Sequence, residues 1–254
     1  MAVKSIEYCN TSFEIAYDIV NPTAQKTIVF LHGWGSNKEI MKQAFATTLK
    51  TFKHIYIDMP GFGKSPNNTV LTTQDYAHIV QSFLEKTIHH SPLVTKDSSL
   101  VTSSLPLTVA GHSFGGKVAT LLNPQNLVLL SSAGIVEEKP LSVKLKIKLA
   151  KFLNLFGLGK ITKAFRSKDV NQMNQAMYET FKNVVNEDFT QVFESYKGKA
   201  FVFWGKEDCA TSLNSGEKIH ALIQNSEFVS YNGDHYFFIK NAHDITQRLD
   251  NGIL

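Results

Sequence analysis

Residues 107–122 read LTVAGHSFGGKVATLL: a short apolar run, then Gly111-His112-Ser113-Phe114-Gly115-Gly116, then a stretch with helical character. The run is too short and too uniformly apolar for a half-exposed strand, and it suits a strand covered on both faces. A serine on a tight turn between a strand and a helix has its hydroxyl pushed clear of the backbone. Such crowding requires glycine nearby, and the helix start behind the turn aims N–H groups and a positive dipole end at the same space. A G-x-S-x-G pentapeptide in that context makes Ser113 a candidate nucleophile.

The pattern repeats outward from this turn. Apolar runs at 27–31 (TIVFL) and 54–58 (HIYID) each lead into a glycine-containing turn, and 126–131 (NLVLLS), 200–204 (AFVFW) and 226–230 (SEFVS) continue the series. Helical patterns lie between or after them, at 39–50, 73–89, 117–122, 215–224 and 242–249. Strands alternating with helices predict a mostly parallel, doubly wound α/β sheet. The runs 5–9 and 13–18, joined by Asn10-Thr11-Ser12, predict an N-terminal hairpin. Residues 91–106 (SPLVTKDSSLVTSSLP) are rich in Ser and Thr with a proline near each end, and predict a surface loop.

Residues 137–196 interrupt the alternation with two or three helical patterns, and predict an inserted helical cap between a core of 1–136 and 197–254. Within it, 141–149 (LSVKLKIKL) alternates like a strand. Its continuation through Phe152 and Phe156 has helical spacing, which favours helix.

The chain has 254 residues, 43% hydrophobic and 19% charged, with a net charge of +4. This composition excludes a disordered or collagen-like chain, and no stretch approaches the ~18 apolar residues of a membrane span. The N-terminal sequence lacks a signal-peptide pattern, and two cysteines, Cys9 and Cys209, are too few for a disulfide scaffold or a Cys-based zinc site. A cytoplasmic protein is the expectation. Between residues 137 and 170 nine Lys/Arg face three acids, so this window carries +6 and the remainder −2. That distribution does not describe a uniformly basic nucleic-acid surface. Lys144, Lys148 and Lys151, along one face of the expected cap helix, are candidate contacts for an anionic or carrier-bound acyl substrate, although they equally suit a solvated face.

A serine hydroxyl needs a base to take its proton. Of nine histidines, His235 stands out in Gly233-Asp234-His235-Tyr236, directly after the last expected strand, on the sheet edge where the serine turn also lies. A carboxylate must orient that imidazole. Trp204-Gly205-Lys206-Glu207-Asp208 follows the preceding strand, which makes Asp208 the candidate and Glu207 its nearest competitor. His32-Gly33-Trp34-Gly35 supplies the remaining element, since the backbone N–H of Trp34 can pair with that of Phe114 to bind an oxyanion. His32 is a candidate pocket or lid residue. The scheme calls for no metal and no organic cofactor.

HGWG (32–35), DMPGFGKS (58–65), GHSFGG (111–116), WGKED (204–208) and GDH (233–235), in this order, resemble the α/β-hydrolase superfamily over essentially the whole chain apart from the cap. The resemblance implies an eight-stranded sheet with an inserted lid, the triad Ser113, Asp208 and His235, and a structural role for the DMPGFGKS turn. Serine at 113 sets the chain apart from the branches that attack with a carboxylate. HGWGSN resembles the turn of pimeloyl-carrier-protein methyl ester esterases. Small meta-cleavage-product hydrolases are similar overall, but their longer HG-x-GPG turn is missing from 32–37. The implied activity is hydrolysis of a carboxylic ester or thioester. The alternatives are C–C bond hydrolysis or a lyase reaction with the same triad, and a non-catalytic binding protein on this fold.

Overall fold

The structure is a computed structural model, and it describes residues 1–88, 105–137 and 174–253. Eight strands form one sheet in the order β1-β2-β4-β3-β5-β6-β7-β8. The strands β1 (Ala2–Tyr8) and β2 (Thr11–Val20) pair antiparallel. Their connection is Cys9-Asn10, both at positive φ, which is the two-residue turn whose twist matches that of the strands it joins. β2 then pairs antiparallel with β4 (Phe52–Ile57). From β4 through β3 (Lys26–Leu31), β5 (Leu105–His112), β6 (Pro124–Leu130), β7 (Lys199–Gly205) and β8 (Ser226–Tyr231) every pairing is parallel. The doubly wound expectation therefore holds.

Helices cover both faces, because the central strands are apolar on both. On one face α1 (Lys38–Phe45) and α7 (Phe238–Ile253) pack on Phe30, Tyr56, Val128, Phe201 and Phe203. On the other, α2 (Thr73–Ile88), α3 (Phe114–Leu121) and α6 (Leu213–Leu222) pack on Val29, Ile55, Val109, Leu129 and Trp204. α1 stops at Phe45, short of the expected 50. Thr48 turns its hydroxyl onto the Phe45 carbonyl at 3.0 Å and Leu49 takes φ +44°, which ends the helix. β5 begins at Leu105, inside the segment expected as loop; the rest of that loop, from 89 to 104, lies outside the described residues.

Two helices of the expected cap are described, α4 (Gln175–Val184) and α5 (Thr190–Ser195). The Asn174 side chain accepts from Met177 N at 2.8 Å and donates to Asn67 O at 2.9 Å, tying the start of α4 to the core. On the other side of the cap, Glu137 accepts from the Ser212 backbone N–H at 3.1 Å, from its hydroxyl at 2.7 Å, and from the Ser215 hydroxyl. A carboxylate at the N-terminus of α6 satisfies a donor that the helix leaves unpaired. Residues 138–173, and with them Lys144, Lys148, Lys151 and the 141–149 alternation, lie outside the described residues.

Candidate active site

β5 delivers Ser113 onto α3 through a tight turn. Ser113 has φ 52° and ψ −117°, a strained conformation for a residue with a side chain, held by its N–H bonding to Leu130 O at 3.1 Å. A Cβ at Gly115 would stand 2.5 Å from the Leu31 carbonyl oxygen, so α3 packs this tightly on β3 only with glycine there. The serine is half-buried, and no hydrogen bond among the described residues links its hydroxyl to the imidazole of His235.

His235 and Asp208 are brought together. The loops after β8 and β7 place His235 Nδ1 2.7 Å from Asp208 Oδ2. Asp208 Oδ1 accepts the backbone N–H groups of Ala210 at 2.8 Å and Thr211 at 3.0 Å, and Oδ2 also accepts the Thr211 hydroxyl at 3.0 Å. Burial works to raise the carboxyl pKa. The hydrogen bonds from His235, the Thr211 backbone and Ser131, with the nearby imidazole, outweigh it and hold the pKa at about 2. Glu207, the competitor, is spoken for: its carboxylate accepts the Gly233 backbone N–H, and its own N–H bonds to Gly233 O at 3.0 Å. It clips one loop to the other. Asp234 caps its own turn through Tyr236 N at 2.9 Å.

The 32–35 turn lies against the serine: a Cβ on Gly33 would fall 3.1 Å from Ser113 Cβ. Among the described residues the backbone N–H groups of Trp34 and Phe114 have no protein acceptor, which leaves both for a ligand. Their side chains pack edge-to-face, ring centres 5.5 Å apart.

His32 sits elsewhere than expected. It is fully buried, and both ring nitrogens are engaged with backbone: Nδ1 donates to Gly33 O at 2.8 Å and Nε2 accepts from Met59 N at 3.1 Å. Burial pushes its pKa down to about 4, so the ring is neutral. Among the described residues it braces the 32–35 turn from beneath. Asp58 supports the same region, accepting Lys38 N at 2.7 Å, Lys38 Nζ at 3.2 Å and Lys64 N at 3.0 Å, while Ser65 donates to its carbonyl at 2.7 Å.

Two residues that the sequence did not single out complete the surroundings. His112 is buried, its pKa lowered to about 3 by that burial, and its Nε2–H donates to the His235 carbonyl at 3.0 Å. It thereby sets the backbone from which the candidate base projects. Lys117 lies buried on α3, donating to Val184 O at 2.5 Å and Glu187 Oε2 at 2.8 Å, with its ammonium 4.9 Å from the Phe189 ring centre. It joins the serine helix to the segment around α4 and α5. A lone lysine in the apolar run KVATLL was its sequence signal.

The alpha/beta hydrolase family model matches residues 28–205, and the chain belongs to that family. A probable alcohol acetyltransferase of Saccharomyces cerevisiae is 28% identical over 153 residues, which is 56% of this chain and 41% of that protein. A pimeloyl-[acyl-carrier protein] methyl ester esterase of Pectobacterium carotovorum is 34% identical over 53 residues, 21% of each chain. These matches span less than half of either curated relative. Among solved structures, a thermophilic esterase of Thermogutta terrifontis superposes with a TM-score of 0.71 at 16% identity, covering 100% of this chain and 98% of that one. That likeness is one of fold. No helix among the described residues is long and apolar enough to cross a membrane.

Proposed function

We propose that this chain is a serine hydrolase that cleaves a carboxylic ester or thioester through an acyl-enzyme. The observation that carries the reading is the 2.7 Å His235–Asp208 pair on loops beside the strained Ser113 turn, with the N–H groups of Trp34 and Phe114 without an acceptor among the described residues. Ser113 Oγ attacks the acyl carbonyl while His235 Nε2 takes its proton. Asp208 holds Nδ1–H, fixing the tautomer that leaves Nε2 free to accept and stabilising the imidazolium that forms. The N–H groups of Trp34 and Phe114 receive the oxyanion, each worth about 10²–10³ in rate. His235 then gives the proton to the departing alcohol or thiol, and activates water to release the acid.

The esterase names among the relatives and structural neighbours agree with this chemistry. In this reading residues 137–196 are a lid over the acyl site, and the basic face with Lys144, Lys148 and Lys151 draws in an anionic or carrier-bound acyl group. Turnover of p-nitrophenyl esters by the protein and by Ser113→Ala tests the proposal. Turnover that the substitution abolishes supports it. Activity confined to a 2-hydroxy-6-oxo-dienoate would point to C–C cleavage instead.

A further inference from the structure

Trp34 carries a second donor that this mechanism leaves unused. Its indole Nε1 is buried and, among the described residues, has no hydrogen-bond partner. The chain's other tryptophan, Trp204, shows the usual outcome, donating Nε1 to Thr211 O at 2.9 Å. Buried polar groups are almost always paired, and a buried indole N–H normally finds an acceptor. The unpaired one lies on the residue proposed as an oxyanion donor, in the turn that packs against Ser113. Its ring is boxed by Phe62 at 4.9 Å, Phe181 at 5.4 Å and Phe114 at 5.5 Å between centres. Phe114 carries the other proposed oxyanion donor, and Phe181 comes from α4. An acyl chain held at the oxyanion position therefore begins at the edge of an aromatic box with one polar atom inside it.

We propose that the Trp34 indole N–H is a specificity donor for acyl groups that carry a neutral carbonyl oxygen a few bonds beyond the scissile carbonyl. The proposal rests on the hydrolase reading. The apolar walls favour a neutral oxygen over a carboxylate, because the cation beside them, Lys117 Nζ, 5.7 Å from the Phe114 ring centre, is already engaged by Glu187 and Val184 O. The N–H is closed to water in the free protein, so an acyl chain reaches it only when one of the surrounding side chains moves aside. A plain alkyl acyl group fills the box but leaves the donor orphaned.

The test compares p-nitrophenyl 4-oxopentanoate with pentanoate, and 5-oxohexanoate with hexanoate, in the wild-type protein and in Trp34→Phe. The wild type is expected to favour one oxo ester by about tenfold in kcat/KM, the scale of one hydrogen bond, and the variant to bring that ratio to about one. A measurement on the wild type alone covers the case in which the variant misfolds. With only two indole N–H resonances in the NMR spectrum, Ser113 adducts of an oxoalkyl and an alkyl fluorophosphonate are compared, and only the first should move the Trp34 signal downfield. Equal turnover of each pair by the wild type, an undiminished ratio in the variant, or identical indole spectra of the two adducts would overturn the proposal. Failure of the hydrolase reading looks different: no ester is turned over, and Ser113 forms no adduct.

Discussion

Replacing Asp208 by Asn should cost about 10⁴ in kcat with little change in fold. Asp208 Oδ1 accepts two backbone N–H groups, from Ala210 and Thr211, so the amide oxygen of Asn must take that place. The amide nitrogen then stands where Oδ2 stood, 2.7 Å from His235 Nδ1, and can only donate. Nδ1 becomes the acceptor, the ring proton moves to Nε2, and the imidazole can no longer take a proton from Ser113. The pocket also loses its anion. A carboxyl pKa depressed to about 2 corresponds to roughly 2–3 kcal/mol of preference for the ionised form, and the share of it owed to His235 is what would stabilise an imidazolium. The wrong tautomer supplies the rest of a barrier increase of about 5 kcal/mol, in line with the loss of about 10⁴ for the same exchange in a serine protease. Glu207→Gln is the control. It disturbs the clip to Gly233 without touching the imidazole, and should lose less than about tenfold by the same steady-state p-nitrophenyl ester assay. Equal losses for the two variants, or a loss under tenfold for Asp208→Asn with a wild-type melting curve, would refute the reasoning.

Further outcomes follow from the buried charges and imidazoles. His32 and His112 have folded pKa values lowered to about 4 and 3, so below pH ~6.5 the unfolded chain binds protons that the folded chain refuses. Stability should therefore fall as pH drops from about 6.5 towards 4, by up to about 2.7 kcal/mol per pH unit for the two together; chemical denaturation across that range should show the slope roughly halved in His112→Gln. Lys117→Met removes charged hydrogen bonds to Val184 O and Glu187, and should lower stability by about 1.5–3 kcal/mol, a fall in Tm of several degrees by calorimetry.

Much of the fold could be read from glycine-bearing turns, since each records a place where backbone meets backbone. The 111–116 turn is the clearest case: Gly115 lies against the Leu31 carbonyl, and no larger residue fits. The order Ser113, Asp208, His235 followed because each candidate comes shortly after an expected strand. The sequence favours Asp208 with Glu207 as its competitor, and the coordinates show how differently the two are engaged. Two adjacent carboxylates on one loop are distinguished only by where the turn to Thr211 points them, one to the imidazole and the other to Gly233.

The contacts of His32 are hidden from the sequence for a related reason. A histidine between a strand and a glycine turn has the sequence signature of a site residue, and only the contact with Met59, 27 positions away, shows it to be a brace. His112 and Lys117 act through Val184, Glu187 and the His235 carbonyl, all far along the chain, and local pattern carries little of that.

The central claim is that Ser113 is a nucleophile activated by His235, and covalent labelling tests it directly. Incubation with a fluorophosphonate followed by peptide mass spectrometry should find one adduct, on Ser113. The adduct should vanish in Ser113→Ala and form far more slowly in His235→Ala. A folded protein in which Ser113 stays unmodified, or one that labels as fast without His235, would contradict the account.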